Sequence, residues 1–172
     1  MGLSRASLDA AALAQGRGGV NRFGSRPQRC RSPDNAFSRG QSCTQIRIVV
    51  LDSSALLCLL QAEPGAERVA ETLATALVSA VNVAETVGKL REAGLSAAEV
   101  RDVLGSLPLD VRPFTDDRAH AAGALRLATR ALGLSLGDRA CLALALETNA
   151  LALTTDRRWL KLDVGVAIEA LR

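Results

Sequence analysis

The chain of 172 residues is poor in aromatic side chains, with no Tyr, one Trp and three Phe. Phe23 and Phe37 fall in the first 45 residues, so Phe114 and Trp159 alone remain for the rest. A module that binds single strands by stacking bases on aromatic platforms is therefore disfavoured. Histidine is scarcer still. His120 stands alone, in the helical stretch DRAHAAGAL, where it reads as a packed or solvent-facing residue. With one His, neither a Ser-His-Asp nor a Cys-His engine is plausible. The four cysteines, Cys30, Cys43, Cys58 and Cys141, form no Cys-x-x-Cys pair, so no zinc quartet is expected. Cys58 and Cys141 lie in the apolar runs ALLCLL and ACLALAL. They read as small buried hydrophobes of a protein kept reduced, which points to the cytoplasm. No apolar run reaches the roughly 20 residues of a membrane span, and no membrane partner is expected. The start lacks a secretory h-region, although its Arg- and Ser-rich, acid-poor character is faintly similar to an organelle transit peptide.

What is present is unevenly distributed. The formal charge of +3 suggests an anionic partner, but residues 1–45 carry seven Arg and two Asp, a net +5. Residues 46–172 hold 14 basic and 16 acidic side chains, a net −2. The first 45 residues also contain six Gly and two Pro without sustained periodicity, which predicts a disordered extension. GRGG at 16–19 follows no strand and precedes no Gly-Lys-Ser/Thr, so it is no phosphate loop. The extension is expected to be dispensable, or absent when synthesis starts later; an RNA-attracting arm is the alternative. At 48% hydrophobic and 23% charged, the chain has material for a real core, which is expected over residues 46–172.

From Ile46 the pattern alternates between strands and helices. IRIVVL (Ile46–Leu51) is a β-branched run suited to a buried parallel strand. Further strands are expected at Leu77–Ala80, Leu109–Phe114, Leu151–Thr154 and Val166–Ile168. Helices are expected at Ser54–Leu60, Gly65–Ala76 (with Pro64 in its first turn), Asn82–Ala93, Ser96–Ser106, Asp116–Leu132 and Gly137–Glu147. A short helix is expected around Arg157–Leu160. Strands joined by helical crossovers predict an α/β fold with a mainly parallel sheet covered on both faces. Ligands of such folds sit beyond the carboxyl ends of the strands.

Four carboxylates are expected at that end. Asp52 follows the first strand and Asp156 the fourth; Glu85 lies in the first turn after the second strand, and Asp138 opens the helix before the fourth. Taken singly, each has an ordinary structural explanation. Asn82-x-x-Glu85 and Ser135-x-x-Asp138 match a capping box, as Ser96-x-x-Glu99 does, and Asp52 and Asp156 suit helix caps. Taken together they are costly, because unit charges ~4 Å apart repel by roughly 4 kcal/mol at an effective dielectric near 20. A cation would relieve that repulsion, and an all-oxygen site suits Mg²⁺ or Mn²⁺. The chemistry of such an ion fits phosphodiester hydrolysis. Asp52 as a phosphorylated nucleophile of a receiver-like domain is a further option, for which Lys161 is the one available late lysine.

The stretches VLDSSALLCLL, SAVNVAE, GLSLGDRACLALAL and LTTDRRW, in this order and spacing, resemble the PIN-domain ribonucleases, and among them the VapC-type toxins of toxin–antitoxin pairs. The resemblance covers about residues 46–172. It implies a PIN-like three-layer sandwich and a metal-dependent endoribonuclease, neutralised by a cognate antitoxin and usually dimeric. The family's acidic quartet maps onto Asp52, Glu85, Asp138 and Asp156. Ser54 resembles the polar residue near the first Asp, whose hydroxyl could hold that carboxylate or a metal-bound water. Asn82 resembles the polar residue one turn before the Glu, and Thr155 could act beside Asp156. Arg139, Arg157 and Arg158 adjoin these acids and could meet RNA phosphates, or simply be solvated. A PIN-like protein that binds RNA or a partner without catalysis is the alternative function.

Overall fold

The computed structural model describes residues 48–172. The expectation of a disordered extension over residues 1–45, together with Cys30 and Cys43, lies outside the described residues. Strand β1 (Val49–Leu51) leads into α1 (Ser53–Leu60) and α2 (Ala66–Thr72). Next come β2 (Ala76–Ser79), α3 (Ala80–Glu92), α4 (Ala97–Gly105) and β3 (Asp110–Arg112). The chain continues through α5 (Asp116–Ala124), α6 (Arg126–Thr129), α7 (Leu136–Thr148), β4 (Leu151–Thr154) and β5 (Ala167–Ala170). A 3-10 turn at Arg157–Lys161 links the last two strands.

All pairings among the five strands are parallel, in the order β3-β2-β1-β4-β5. β1 is central, with Val50 opposite Leu77 on one side and Ala152 on the other. Side chains of a strand alternate between faces, so one sheet feeds two cores. Val49, Leu51, Val78 and Leu153 pack with α1–α4, through residues such as Leu56, Val69, Leu90 and Val100. Val50, Leu77 and Ala152 pack on the other face with Leu142 and Leu144 of α7 and with Trp159. The result is the three-layer α/β sandwich. Cys58 and Cys141 are buried, as their apolar surroundings suggested. Among the described residues no helix is long and apolar enough to cross a membrane.

Several boundaries differ from the sequence expectation, for local reasons. The helix expected over Asp116–Leu132 is broken into α5, α6 and a 3-10 turn at Arg130–Leu132. Gly123 weakens its middle, and the Thr129 hydroxyl donates to the Leu125 carbonyl at 2.8 Å, a back-bond that bends helices. α2 likewise tightens into a 3-10 turn after Thr72, whose hydroxyl donates to the Val69 carbonyl. Pro64 stands before that helix rather than in it, because Gly65 at φ +101° is the N-cap. β2 ends at Ser79, which caps α3. Asn82 therefore falls inside the helix, and Glu85 in its second turn.

The connection leaves β1 toward β2 on one side and comes back to it through β4 on the other. The crevice beyond the carboxyl ends of β1 and β4 is thus the switch point at which open parallel sheets bind ligands.

Candidate metal centre

Asp52 extends the parallel pairing, its backbone N–H donating to the Leu153 carbonyl at 3.0 Å, and then caps α1. Asp52 is 3% exposed. Oδ1 accepts from Asn82 Nδ2 at 3.1 Å. Oδ2 accepts from the Ser54 backbone N at 3.2 Å, from Ser54 Oγ at 2.5 Å and from Thr154 Oγ1 at 3.2 Å. Burial pushes the Asp52 carboxyl above the usual range; the Ser54 bonds oppose that rise, and the charge of Asp138 adds to it. Burial and a neighbouring acid disfavour the charged form of such a carboxylate, and its oriented donors favour it.

The same hydroxyls tie α1 to the end of β4 and hold the turn that follows it. Ser54 Oγ accepts from the Thr155 backbone N at 3.0 Å, and Thr154 Oγ1 accepts from the Asp156 backbone N at 3.1 Å. The expected Ser54 contact is present. Thr155, expected to act beside Asp156, meets Ser54 through its backbone N–H, and the hydroxyl that touches both Asp52 and the Asp156 N–H is that of Thr154.

Asn82 does not cap a helix. It is wholly buried on α3, and its Nδ2 bridges Asp52 Oδ1 and the carbonyl of Gly137, 3.2 Å away on α7. Its Oδ1 is buried without a hydrogen-bond partner. Glu85, one turn further on, accepts from Ser53 Oγ at 3.1 Å and from Ser135 Oγ at 3.5 Å. Asp138 completes a capping box: Ser135 N donates to its Oδ2 at 2.7 Å, and its own N–H donates to Ser135 Oγ at 3.1 Å. Capping and proximity to Asp52 coexist in this residue. The thiol of Cys141, beneath the site, registers all three acids. Burial pushes it well above its ordinary value, and the charges of Asp52, Asp138 and Glu85 push it further.

Asp156 is held differently. It caps the 3-10 turn, and the Arg158 guanidinium clasps it, Nε donating at 2.9 and 3.0 Å and Nη2 at 2.6 Å. These bonds hold its carboxyl below the usual range. Arg139 spans the carbonyls of Ser135 and Ala122, fastening the start of α7 to α5. Arg157 is exposed at the head of the 3-10 turn. Lys161, which a receiver-like site would need, is exposed at the end of that turn. His120 lies on the exposed face of α5, 3.7 Å from Asp116.

The structure thus brings Asp52, Glu85 and Asp138 around one crevice, with Asp156 at its edge bound to Arg158. As they stand, no three Asp, Glu, His or Cys side chains among the described residues are arranged to hold a metal ion. The donor set nonetheless suits a hard divalent cation, being all oxygen and carrying a buried carboxylate that lacks a cationic partner. Sequence reasoning missed Ser53, Thr154 and Gly137. Strand alternation from Ala152 could have found Thr154, and a glycine in the first turn of a helix could have flagged Gly137.

The family model for the PIN domain matches residues 49–165, well over half of the chain. The chain belongs to the PIN-domain family. Solved structures agree on the PIN fold. A chain of a toxin–antitoxin complex from Klebsiella pneumoniae is similar at a TM-score of 0.58 and 18% identity, over 72% of this chain and 98% of that one. DNA-bound VapBC from Salmonella typhimurium gives a TM-score of 0.58 at 17% identity, over 72% and 98%. VapBC-1 from nontypeable Haemophilus influenzae gives 0.56 at 18%, over 72% and 97%. No curated protein matches the chain.

Proposed function

We propose that this PIN-domain chain is a metal-dependent endoribonuclease that acts as the toxin of a toxin–antitoxin pair. The observation that carries the reading is Asp52. It is a buried carboxylate, fixed by four donors and raised in pKa by burial and by Asp138, at the switch point of a parallel sheet. Such a group is costly unless a cation meets it. The similarity to chains of toxin–antitoxin complexes adds the partner, a cognate antitoxin.

Asp52, Glu85, Asp138 and Asp156 would hold Mg²⁺ or Mn²⁺. When bound, such an ion supplies Lewis acidity toward phosphoryl oxygen and lowers the pKa of water. Asn82, Ser54 and Thr154 keep Asp52 aimed into the crevice. Glu85, held by two hydroxyls rather than a cation, is the residue suited to accept a proton from the attacking water. Arg157 is free to face solvent and suits an RNA phosphate, whereas Arg139 is occupied by carbonyls and serves the scaffold. Arg158 reaches a phosphate only by leaving Asp156. A homodimer in the cytoplasm completes the reading.

One observation favours the non-catalytic alternative, a PIN-like protein that binds RNA or a partner: Arg158 already neutralises Asp156. The deciding experiment incubates purified protein with total RNA, with Mg²⁺ or with EDTA, and maps the new ends. Cleavage is expected with Mg²⁺ only, and Asp52→Asn should lower it at least ~100-fold while the circular dichroism spectrum is kept. Equal cleavage by an Asp52→Asn/Asp138→Asn double variant would overturn the reading, and an absence of both Mn²⁺ binding and cleavage would favour the binding protein.

A further inference from the structure

Glycine is among the least favourable residues in a helix. Four glycines of the described residues lie in helices: Gly88 in α3, Gly105 in α4, Gly123 in α5 and Gly137 in α7. A Cβ added at Gly88, Gly105 or Gly123 would meet nothing within 4 Å. At Gly137 it would overlap Oε2 of Glu85 and stand 2.5 Å from Cδ and 2.8 Å from Oε1. The whole Glu85 carboxylate therefore rests on the bare Cα of Gly137.

The contact is one of a pair. Asn82 and Glu85, three residues apart on α3, share a face. The first donates to the Gly137 carbonyl while the second covers the Gly137 Cα. Ser53 Oγ, at the start of α1, and Ser135 Oγ, the N-cap of α7, hold the remaining sides of the Glu85 carboxylate. The groups that fix Glu85 thus come from other segments, and the missing side chain leaves the space in which its carboxylate stands.

We propose that Gly137 is a positioning residue of the acidic centre, its absent Cβ setting where the Glu85 carboxylate stands relative to Asp52 and Asp138. For the cation, this rests on the nuclease reading; for the seating of Glu85, it does not. A methyl group at 137 meets the far end of a flexible side chain rather than backbone. The fold survives by turning Glu85 away, and the acidic centre loses one of its carboxylates.

Two measurements test this. In EDTA, thermal unfolding compares Gly137→Ala in the wild-type and Glu85→Ala backgrounds. Gly137→Ala should raise the midpoint in the second, where alanine is simply the better helix former, and raise it less or lower it in the first, where Glu85 gives up its hydroxyl partners. An equal shift in both backgrounds would overturn the proposal. Calorimetric titration with Mn²⁺ should then show Gly137→Ala binding at least ~10-fold more weakly than wild type. Adding Glu85→Asp, which shortens the side chain, should restore part of that loss, and Gly123→Ala should bind as wild type does. Gly137→Ala binding within about twofold of wild type would also overturn the proposal. Should wild type itself bind no Mn²⁺, the nuclease reading falls, and the unfolding comparison still decides the role of Gly137.

Discussion

Arg158 clasps Asp156 two residues before it, with Nη2 2.6 Å from Oδ2 and Nε 2.9 Å from Oδ1. The fourth acid of the crevice is therefore neutralised by its own turn, while Asp52 meets only neutral donors. An arginine in this position competes with any cation for the same oxygens. It also limits the repulsion among the acids when no cation is bound.

Removing that competitor should strengthen cation binding. Arg158→Gln is expected to tighten Mn²⁺ binding in calorimetry by about two- to fivefold, the range that an exposed ion pair commands. Unchanged or weaker binding would show that Asp156 takes no part in holding the ion. RNA cleavage separates a second role. If Arg158 also meets a phosphate, KM for RNA rises in the variant even as the ion binds more tightly.

The ends of β1 and β4 were readable because buried parallel strands are continuous apolar runs, and the acids after them followed. Strands β3 and β5, less buried and interrupted by charged residues, end at Arg112 and Ala170 rather than at the expected Phe114 and Ile168. Asn82 was not readable as it stands. The strand residue Ser79 doubles as the cap, which moves the helix start and turns an apparent capping residue into a buried bridge. Thr154 and Thr155 differ by one residue, and strand period alone decides which one meets Asp52. The contact of Glu85 with Gly137 joins segments 52 positions apart. No local pattern encodes such a contact, because close approach is a property of how α3 and α7 cross. The break between α5 and α6 lies at Leu125, whose carbonyl accepts from the hydroxyl of the wholly buried Thr129, a burial that no local pattern encodes.

The burial of Asp52 has a consequence for acid titration. A carboxyl whose pKa is raised on folding binds its proton more readily in the native state. Stability is therefore lost as pH rises from the ordinary aspartate value of about 3.9 through the raised native value. Asp52→Asn has no such proton to lose, and Asn82 has an unpartnered Oδ1 that can turn to meet the new amide. In EDTA, the midpoint of Asp52→Asn minus that of wild type should grow as pH rises through this window and then level off. A flat difference would mean that Asp52 is not strained by its burial. Mn²⁺ at neutral pH should raise the wild-type midpoint and leave the variant nearly unmoved.

Away from the crevice, Arg118 on α5 donates to Glu147 on α7 through Nε at 2.6 Å and Nη2 at 2.9 Å, and also to the Pro113 carbonyl. The guanidinium is largely buried while the carboxylate is half exposed, so solvent screens the pair. Glu147→Gln should cost about 1 kcal/mol at neutral pH, because a charge-assisted bond is weakened and a covered cation is left underpaired. The bonds from Arg118 hold the Glu147 carboxyl below its usual range. Their contribution is thus fully present above the unfolded value of about 4.3 and is lost as pH falls through the lowered native value. Wild type and Glu147→Gln should differ by a constant amount above about pH 5 and converge in stronger acid. A gap that widens toward acid would show that the two helices are joined by packing, with the ion pair an ornament on their surface.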